Sequence, residues 1–477
     1  MKLRPYQNKT IAELRAGFKI NRRQVLALPT GAGKTVIFSE IVYLAAERGT
    51  KCLVVTDRIE LFKQTFRALR RTGITPQEIT AKRRADVDAD AVVSVAMVET
   101  VKRRIVSGKI SLKPELIIID EAHKRNFDAI IDLFPTSLVI GATATPIGAQ
   151  FHKYYSGIVS TIDIPELVEK GYLSKCRAYE MQEDLSDLKT RAGEYTASSL
   201  NEHYNKKGLF DGVVAEYIKK AAGKKTLVFN VSIEHTLNMT EAFRAAGIEA
   251  EALTSNTPPE EREDILKRFK EGSFPVLNNC GILTTGYDEP SIETIIVNRA
   301  TKSLALWLQM VGRGSRTFKN KAEFLVLDFG LNHTRHGLWQ QPRVWKIEPP
   351  KKRSDVKDVA PVKSCPNCEA IIFATAKACE FCDYVFPVEA AKLREGVLIE
   401  VTNEAAYIGK KISEVSLTDL ADLQKAKRFS HHYIWRVVRS KGVESLREYA
   451  QLMKYSGGWI IRQKKDLHNS AFVNVRL

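Results

Sequence analysis

Long apolar runs are missing from this sequence. No stretch is long enough to span a bilayer, and the first residues do not show the pattern of a signal peptide. Low-complexity segments and short-period repeats are absent as well. We therefore expect a cytoplasmic protein with no membrane partner. The length of 477 residues is enough for roughly three domains.

Acidic residues are in short supply. The chain has 56 Asp and Glu against 73 Lys and Arg, which gives a formal net charge of +17. The sequence pI is near 9.4. This surplus indicates a polyanionic partner such as nucleic acid. The alternative is a basic surface that serves solubility alone, because net charge bears on association and not on fold.

Cysteines are few and fall into two groups. Three stand singly and are interpreted as reduced, buried thiols without an assigned function: Cys52, Cys176 and Cys280. The other four form two Cys-x-x-Cys pairs: Cys365, Cys368, Cys379 and Cys382. Four thiolates at this spacing predict a closed, structural Zn²⁺ site of the zinc-ribbon type. Disulfides are the alternative, which a cytosolic chain disfavours.

Short apolar runs alternate with amphipathic stretches, the pattern of a mostly parallel α/β sheet. Strands are predicted first at 24–28, 52–56, 92–96, 116–120 and 138–142. The pattern then restarts, with strands predicted at 226–230, 250–254, 276–277, 294–298 and 324–328. The predicted fold class is therefore α/β, with two tandem domains built on parallel sheets.

Composition divides the chain further. A Pro/Lys-rich stretch without periodicity predicts a linker over residues 346–362. The α/β domains are predicted at 1–160 and 161–345, before this linker. The zinc ribbon is predicted at 363–388, and a mainly helical, basic domain at 389–477.

The most informative motif is a glycine-rich loop between a predicted strand and a helix-like segment. Its residues are predicted to bind a nucleoside triphosphate, ATP in the first instance: Pro29, Thr30, Gly31, Ala32, Gly33, Lys34 and Thr35. Small residues let successive backbone N–H groups surround a polyphosphate at the positive end of a helix. Lys34 would reach the β- and γ-phosphates, and the Thr35 hydroxyl would hold Mg²⁺.

Two adjacent carboxylates end the apolar run 116–120. Successive residues at a strand end point in different directions, so the two side chains can serve different purposes. Asp120 is predicted to hold Mg²⁺, directly or through water. Glu121 is predicted to face the attacking water as a general base or positioning group.

Seven motifs in chain order resemble the superfamily 2 helicases of the DEAD/DEAH type. They are Arg4-Pro-Tyr-Gln7, Pro29 to Thr35, Asp57-Arg58, Asp120-Glu-Ala-His123, Thr143-Ala-Thr-Pro146, Thr284-Thr-Gly-Tyr-Asp288 and Gln309-Met-Val-Gly-Arg-Gly-Ser-Arg316. The resemblance covers about residues 1–345. It implies two RecA-like domains that face each other across an ATP cleft.

The resemblance implies roles at the nucleotide. Arg4 and Gln7 would contact adenine, although residues there can also cap an N-terminal helix. Asp288 would contact the ribose. Gln309 would orient the water or the γ-phosphate. Two arginines, Arg313 and Arg316, would act as arginine fingers, because guanidinium groups stabilise charge on a transferring phosphoryl group.

Other positions are implied to serve nucleic acid. Arg58, Thr285 and Gly286 would hold strand phosphates, which positions a strand without reading its sequence. Thr143 and Thr145 would link the ATP site to the nucleic-acid groove. Plain hydrogen bonding at a strand end is the alternative for these two threonines.

A narrower similarity, to bacterial RadD-type DNA-repair helicases and their phage-encoded relatives, extends to about residue 385. It implies DNA rather than RNA, a cytoplasm that is bacterial or phage-infected, and repair or recombination proteins as partners. A monomer is the default. The alternatives are a restriction-type translocase and an ATP-gated clamp that recruits repair proteins.

The last part of the chain interleaves aromatic residues with basic ones: Tyr433, Trp435, Tyr449, Tyr455 and Trp459. Aromatic faces beside positive charge can stack bases and neutralise phosphates. The slightly favoured alternative is a small helical domain with these rings in its core. The zinc ribbon is similarly open, between a duplex-gripping finger and a protein-docking module.

Overall fold

The computed structural model describes residues 3–83, 87–181, 185–191, 193–347, 362–386, 416–425 and 431–465. The chain divides into two compact units, residues 1–387 and 388–477. Most of the linker predicted at 346–362, and several stretches of the predicted C-terminal domain, lie outside the described residues.

The first sheet has seven parallel strands in the order β3-β4-β2-β5-β6-β1-β7. They are β1 (Arg23–Ala27), β2 (Cys52–Thr56), β3 (Gln77–Ile79), β4 (Val93–Met97), β5 (Leu116–Asp120), β6 (Leu138–Thr143) and β7 (Gly157–Val159). All residues of β2 and β5 are buried. Strands covered on both faces are continuous apolar runs, which is why the sequence predicts these two clearly.

Helices flank this sheet and connect its strands. They are α1 (Pro5–Gly17), α2 (Lys34–Ala46), α3 (Ile59–Arg71), α4 (Val98–Val106), a 3₁₀ turn (Arg125–Phe127), α5 (Asp128–Leu133), α6 (Ala149–Tyr154) and α7 (Ile164–Glu169). Each parallel connection needs such a crossover, so the carboxyl ends of the strands meet at one edge of the sheet.

The second sheet has the order β12-β13-β11-β14-β15-β8-β17-β16. Its parallel strands are β8 (Lys175–Glu180), β11 (Thr226–Phe229), β12 (Ala250–Leu253), β13 (Val276–Asn279), β14 (Thr294–Val297) and β15 (Glu323–Asp328). A hairpin of β9 (Thr190–Arg191) and β10 (Glu194–Tyr195) stands apart. The helices are α8 (Ala197–Tyr204), α9 (Lys207–Ala221), α10 (Ile233–Ala245), α11 (Pro259–Glu271), α12 (Leu304–Val311) and α13 (Asn332–His336).

The cysteine-containing segment extends the second sheet. Its strands β16 (Val362–Ser364) and β17 (Ile371–Phe373) are antiparallel to each other, and β17 also pairs with β8. The predicted fold class is confirmed: two α/β domains with parallel sheets, followed by a cysteine-rich segment and helices.

The sequence did not predict strands β3, β7 and β8. The first two have only three residues each. Strand β8 alternates half-buried polar residues with buried ones, so its apolar signal is weak. The second sheet therefore begins at Lys175, and α7 comes between it and the last strand of the first sheet.

The two α/β domains share one continuous apolar core. Leu28 and Ala32 of the first domain belong to the same cluster of buried residues as Leu308 and Val311 of the second. A Cβ built on Gly312 would lie 3.0 Å from Thr30 Cβ. Helix α12 therefore ends directly against the glycine-rich loop.

The C-terminal unit is described by itself. Its helices are α14 (Leu417–Lys425), α15 (His431–Ser440), α16 (Val443–Leu452) and α17 (Gly457–Lys465). Tyr449 and Trp459 are buried, and the Tyr455 and Trp435 rings pack against Trp459 at 4.9 and 5.8 Å between centroids. These four rings form the core of the bundle, as the favoured alternative predicted; the Tyr433 side chain lies outside the described part.

Candidate functional site

The glycine-rich loop joins β1 to α2, and two of its residues have left-handed backbone. Gly31 has φ of 94° and Gly33 has φ of 78°. A Cβ on Gly33 would lie 2.7 Å from Gln7 Nε2, and one on Gly31 would collide with Arg316 Nη1. Glycine is therefore required here by backbone conformation and by space.

Lys34 begins α2 and turns back over the loop. Its Nζ donates hydrogen bonds to the carbonyls of Leu28 at 3.0 Å and Pro29 at 3.2 Å. Burial lowers its pKa, while the charges of Glu121 and Asp120 oppose that shift. The ammonium group thus lies on the loop carbonyls and within range of the Glu121 and Asp120 charges, where the phosphates of a nucleotide would pair with it through charge-assisted hydrogen bonds.

The two carboxylates are buried at the carboxyl end of β5. Asp120 is 5 % exposed and accepts the Glu121 amide N–H at 3.1 Å. Glu121 has φ of 56°, which is uncommon for a residue with a side chain. His123 Nδ1 lies 3.2 Å from Glu121 Oε2 and 3.1 Å from Thr143 Oγ1. His123 thus contacts both the Glu121 carboxylate and the Thr143 hydroxyl.

The pKa values of Asp120 and Glu121 are shifted in opposite directions. Burial, then the neighbouring Glu121 charge, raises the pKa of Asp120 to about 7. Burial also acts to raise the pKa of Glu121, but His123, Lys34 and Arg313 outweigh it and lower that pKa to about 2. Buried, mutually repelling carboxylates suit a hard cation such as Mg²⁺, so the chemistry of Asp120 fits the predicted ion.

The second domain contributes two arginines that are held differently. Arg313 is buried and donates to Thr284 O at 3.2 and 2.9 Å and to Tyr287 O. Burial, then the Arg316 charge, lowers the pKa of Arg313 to about 10, which leaves it protonated at neutral pH. Arg316 Nε binds Asp288 Oδ1 at 2.7 Å. In the described part of the chain, Arg316 Nη1 is buried without a hydrogen-bond acceptor.

Gln309 lies one turn before Arg313. It is 6 % exposed, and no described atom pairs with its Nε2. A buried amide nitrogen and a buried guanidinium nitrogen that both lack partners are each costly unless a ligand satisfies them. Because Arg316 Nη1 lies against Gly31, the arrangement suits an anionic ligand bound at the loop.

The predicted adenine residues lie beside the same loop. Gln7 Nε2 donates to Ala32 O at 3.4 Å, and its Oε1 accepts the Arg4 N–H at 2.9 Å. The second contact caps α1. The helix-cap interpretation of this pair is therefore observed, and its contact with adenine stays a prediction. The Arg4 guanidinium lies 4.2 Å from the centre of the Tyr172 ring.

Comparisons with known proteins agree with this geometry. The family described as "Type III restriction enzyme, res subunit" matches residues 1–148, and "Helicase conserved C-terminal domain" matches residues 210–317. A protein of Saccharomyces cerevisiae with the provisional name ATP-dependent helicase IRC3 is 32% identical over 357 residues. That match covers 69% of this chain but 51% of the yeast protein.

The chain belongs to the superfamily 2 helicases. A 51.5 kDa protein of a Lactococcus phage is 29% identical to this helicase, over 81% of this chain and 84% of the phage protein. A solved fragment assigned as the HsdR subunit of a type I restriction enzyme from Vibrio vulnificus has a TM-score of 0.53 at 22% identity. It covers 68% of this chain and 63% of that one, and supports the fold alone.

Residues predicted to contact nucleic acid meet at the junction of the helicase domains. Arg58 precedes α3, and a Cβ on Gly286 would lie 3.2 Å from Glu60 Cβ in the first turn of that helix. Glu60 also pairs with Arg262 at 3.7 Å. Thr285 Oγ1 is buried, with no partner among the described atoms. The structure thus brings Arg58 close to Thr285-Gly286.

The two threonines predicted to link the ATP site to the nucleic-acid groove are fully buried. Thr143 Oγ1 accepts the Thr145 N–H at 3.1 Å and contacts His123. His123 in turn contacts Glu121. The strand-end hydrogen bond and a connection to the carboxylates are both present. Sequence reasoning included His123 in a motif but assigned it no role.

The four predicted zinc ligands converge. Their sulfur atoms lie within 4.8 Å of one another, with 3.7 Å between Cys365 and Cys382 and between Cys368 and Cys379. All four are free thiols. A tetrahedral site with Zn–S bonds of ~2.3 Å separates its sulfurs by about 3.8 Å, so the cluster fits Zn²⁺.

None of the described helices is long and apolar enough to cross a membrane.

Proposed function

We propose that this helicase is an ATP-driven motor that translocates on or remodels DNA, in repair, recombination or phage replication. The observation that carries the proposal is the contact of Arg316, from the second domain, with Gly31 in the phosphate-binding loop of the first. A hydrolysis site composed of both domains is complete only when they are closed.

Each group at this junction has a role that its surroundings support. Lys34 and the loop N–H groups bind the β- and γ-phosphates, while Arg4 and Gln7 contact adenine. Mg²⁺ held by Thr35 and Asp120 would neutralise charge on the transferring phosphoryl group. Glu121 stays ionised because its pKa is lowered, and it orients the attacking water as a hydrogen-bond acceptor or takes up its proton.

The second domain completes the reaction. Arg316 moves from Asp288 to the γ-phosphate, which frees that carboxylate for the ribose. Arg313, anchored on backbone carbonyls, supplies a second positive charge, and Gln309 orients the water. Loss of the γ-phosphate removes the partner of Arg316 and allows the domains to open.

Domain movement is coupled to the strand by contacts on both sides of the junction. Arg58 belongs to the first domain, and Thr285 and Gly286 belong to the second. If each domain binds a different backbone phosphate, opening and closing of the cleft moves one phosphate-binding site relative to the other along the strand. DNA as the strand rests on the similarity to RadD-type helicases, and the net charge of +17 supports a polyanion.

The test is steady-state ATP hydrolysis without nucleic acid and then with single-stranded DNA, duplex DNA, forked DNA and RNA. Glu121→Gln should lower turnover at least 100-fold while ATP and DNA binding persist. The matched control is Glu115→Gln, because Glu115 is exposed and immediately precedes the same strand. It should hydrolyse ATP as the parent protein does.

Stimulation by one DNA form, absent in Glu121→Gln, is the expected result. Equal stimulation by RNA would contradict the DNA assignment. Turnover no faster than that of Glu121→Gln on every substrate, despite ATP-dependent DNA binding, would favour the ATP-gated clamp.

A further inference from the structure

Three consecutive residues connect the helicase domains and are held by both. On the first-domain side, the N–H groups of Tyr172 and Leu173 donate to Leu167 O at 2.8 and 3.1 Å. On the second-domain side, Ser174 N donates to Ser315 O at 2.8 Å, and Ser174 Oγ to Arg316 O at 3.1 Å. The crossover segment Tyr172–Ser174 is therefore fixed at both ends by short hydrogen bonds.

The side chain of Tyr172 lies with the predicted adenine residues. Its ring is 4.2 Å from the Arg4 guanidinium carbon and 5.6 Å, centre to centre, from the ring of Tyr6. Tyr6 OH donates to Ala32 O in the phosphate-binding loop at 2.7 Å. The Tyr172 ring thus covers one face of the Arg4 guanidinium and is positioned to fix the orientation of that group.

Leu173, the next residue, contacts both the phosphate-binding loop and the backbone of Arg316. Leu173 is 2 % exposed, and its Cδ2 would lie 2.7 Å from a Cβ on Gly31. Its backbone pairs with that of Arg316 in an isolated antiparallel bridge. Arg316 Nη1 lies against the same glycine. The three consecutive residues therefore contact, in order, the base-binding arginine, the phosphate loop and the backbone of the arginine finger.

We propose that Tyr172–Ser174 couples occupancy of the base pocket to the placement of Arg316, so that the nucleobase affects the rate of hydrolysis as well as binding. This inference rests on the proposed ATPase function. A purine on the outer face of the Arg4 guanidinium sandwiches it against Tyr172 and immobilises the ring. Leu173 and Ser174 then hold the Arg316 backbone in register with the loop, which fixes the reacting geometry.

The experiment compares ATP with CTP, each at saturating DNA, in the parent protein and in Tyr172→Ala. The parent should show a higher kcat for ATP than for CTP, because the smaller pyrimidine stacks less well. Tyr172→Ala should lower kcat for ATP about tenfold and leave kcat for CTP within twofold. Tyr172→Phe keeps the ring and should behave as the parent does.

The matched control is Tyr195→Ala. Tyr195 also lies under cations, with Lys302 at 4.8 Å and Arg335 at 5.3 Å from its ring centre, but on the hairpin of the second domain. This substitution should leave the ratio of kcat for ATP to kcat for CTP unchanged. A variant that merely loses stability would lose turnover with both nucleotides equally, whereas loss of the coupling changes the ratio of the two kcat values.

Two outcomes would overturn the coupling: equal kcat for ATP and CTP in the parent, or a ratio of these two kcat values in Tyr172→Ala that is the same as in the parent. Failure of the proposed function looks different, because the parent itself would then show no DNA-stimulated hydrolysis of any nucleotide.

Discussion

Arg313 and Arg316 carry the same guanidinium group, three positions apart, but the structure holds them in different ways. Arg313 is buried and donates to the carbonyls of Thr284 and Tyr287, so it also organises the motif that contains Thr285 and Gly286. Arg316 has its charge paired with Asp288 and its Nη1 directed at the loop. Arg313 therefore has a structural role beside the catalytic role we propose for it, whereas the proposed role of Arg316 is mainly catalytic.

This difference predicts separable effects of two substitutions. Both Arg313→Ala and Arg316→Ala should lower kcat by roughly 100-fold or more, as the loss of an arginine finger does. Only Arg313→Ala should also lower Tm, by about 5 °C, because it leaves buried carbonyls without donors. The measurements are DNA-stimulated ATP hydrolysis and thermal unfolding of the same preparations. An equal loss of Tm in both variants would contradict the assignment.

At the scale of an element, the cysteine-rich segment is docked on the second domain. Strand β17 pairs with β8, Lys175 binds Glu380 at 2.9 Å, and Lys220 binds Glu369 at 2.6 Å. The Phe381 ring lies under Lys175 at 4.5 Å. This docking covers the edge of the sheet at β8. An exposed strand edge would otherwise be open to pairing with strands of other chains.

The zinc site should therefore support docking and not nucleotide binding. Cys379→Ser is expected to abolish Zn²⁺ binding at this cluster and to lower Tm, while ATP affinity at Lys34 changes less than twofold. Zinc content by elemental analysis, thermal unfolding and binding of a fluorescent ATP analogue provide the three readouts. Cys280→Ser is the matched control, because Cys280 is outside the cluster. A large loss of ATP affinity in Cys379→Ser would show that the two sites are linked.

For the whole molecule, the main property is the positive charge together with a junction where residues of two domains that are predicted to bind phosphates meet. The surplus of 17 charges is spread over the sequence and does not by itself locate a groove. The proximity of Arg58 to Thr285-Gly286 is the basis on which we propose one there. Contacts of this kind neutralise phosphates and release counterions, which makes binding depend on salt.

DNA affinity should therefore fall steeply with ionic strength. Between 50 and 200 mM salt we expect a loss of roughly tenfold or more, with little dependence on base sequence. Arg58→Ala should weaken binding at low salt and reduce the salt slope by about one unit, because one phosphate contact is lost. Fluorescence anisotropy with labelled DNA measures both quantities. An unchanged slope in Arg58→Ala would place the DNA elsewhere.

The sequence was most informative where the signal is local. Strands β2 and β5 begin and end where predicted, because both are continuous runs of buried apolar residues. Strand β8 was missed because it alternates polar and apolar residues beneath the docked cysteine segment. The roles assigned to site residues stay predictions until the variants above are measured.

The sequence by itself determined the phosphate loop, the carboxylate pair and the order of motifs, since each depends on residue types at short spacing. Tertiary structure alone decided that Arg316 meets Gly31, that Asp288 holds Arg316, and that Tyr172 lies under Arg4. The first and last of these pairs join residues more than 150 positions apart, and the second depends on how a loop and a helix end pack. No local pattern encodes such contacts, and the meeting of Arg316 with Gly31 in particular requires that the two α/β domains pack into one core.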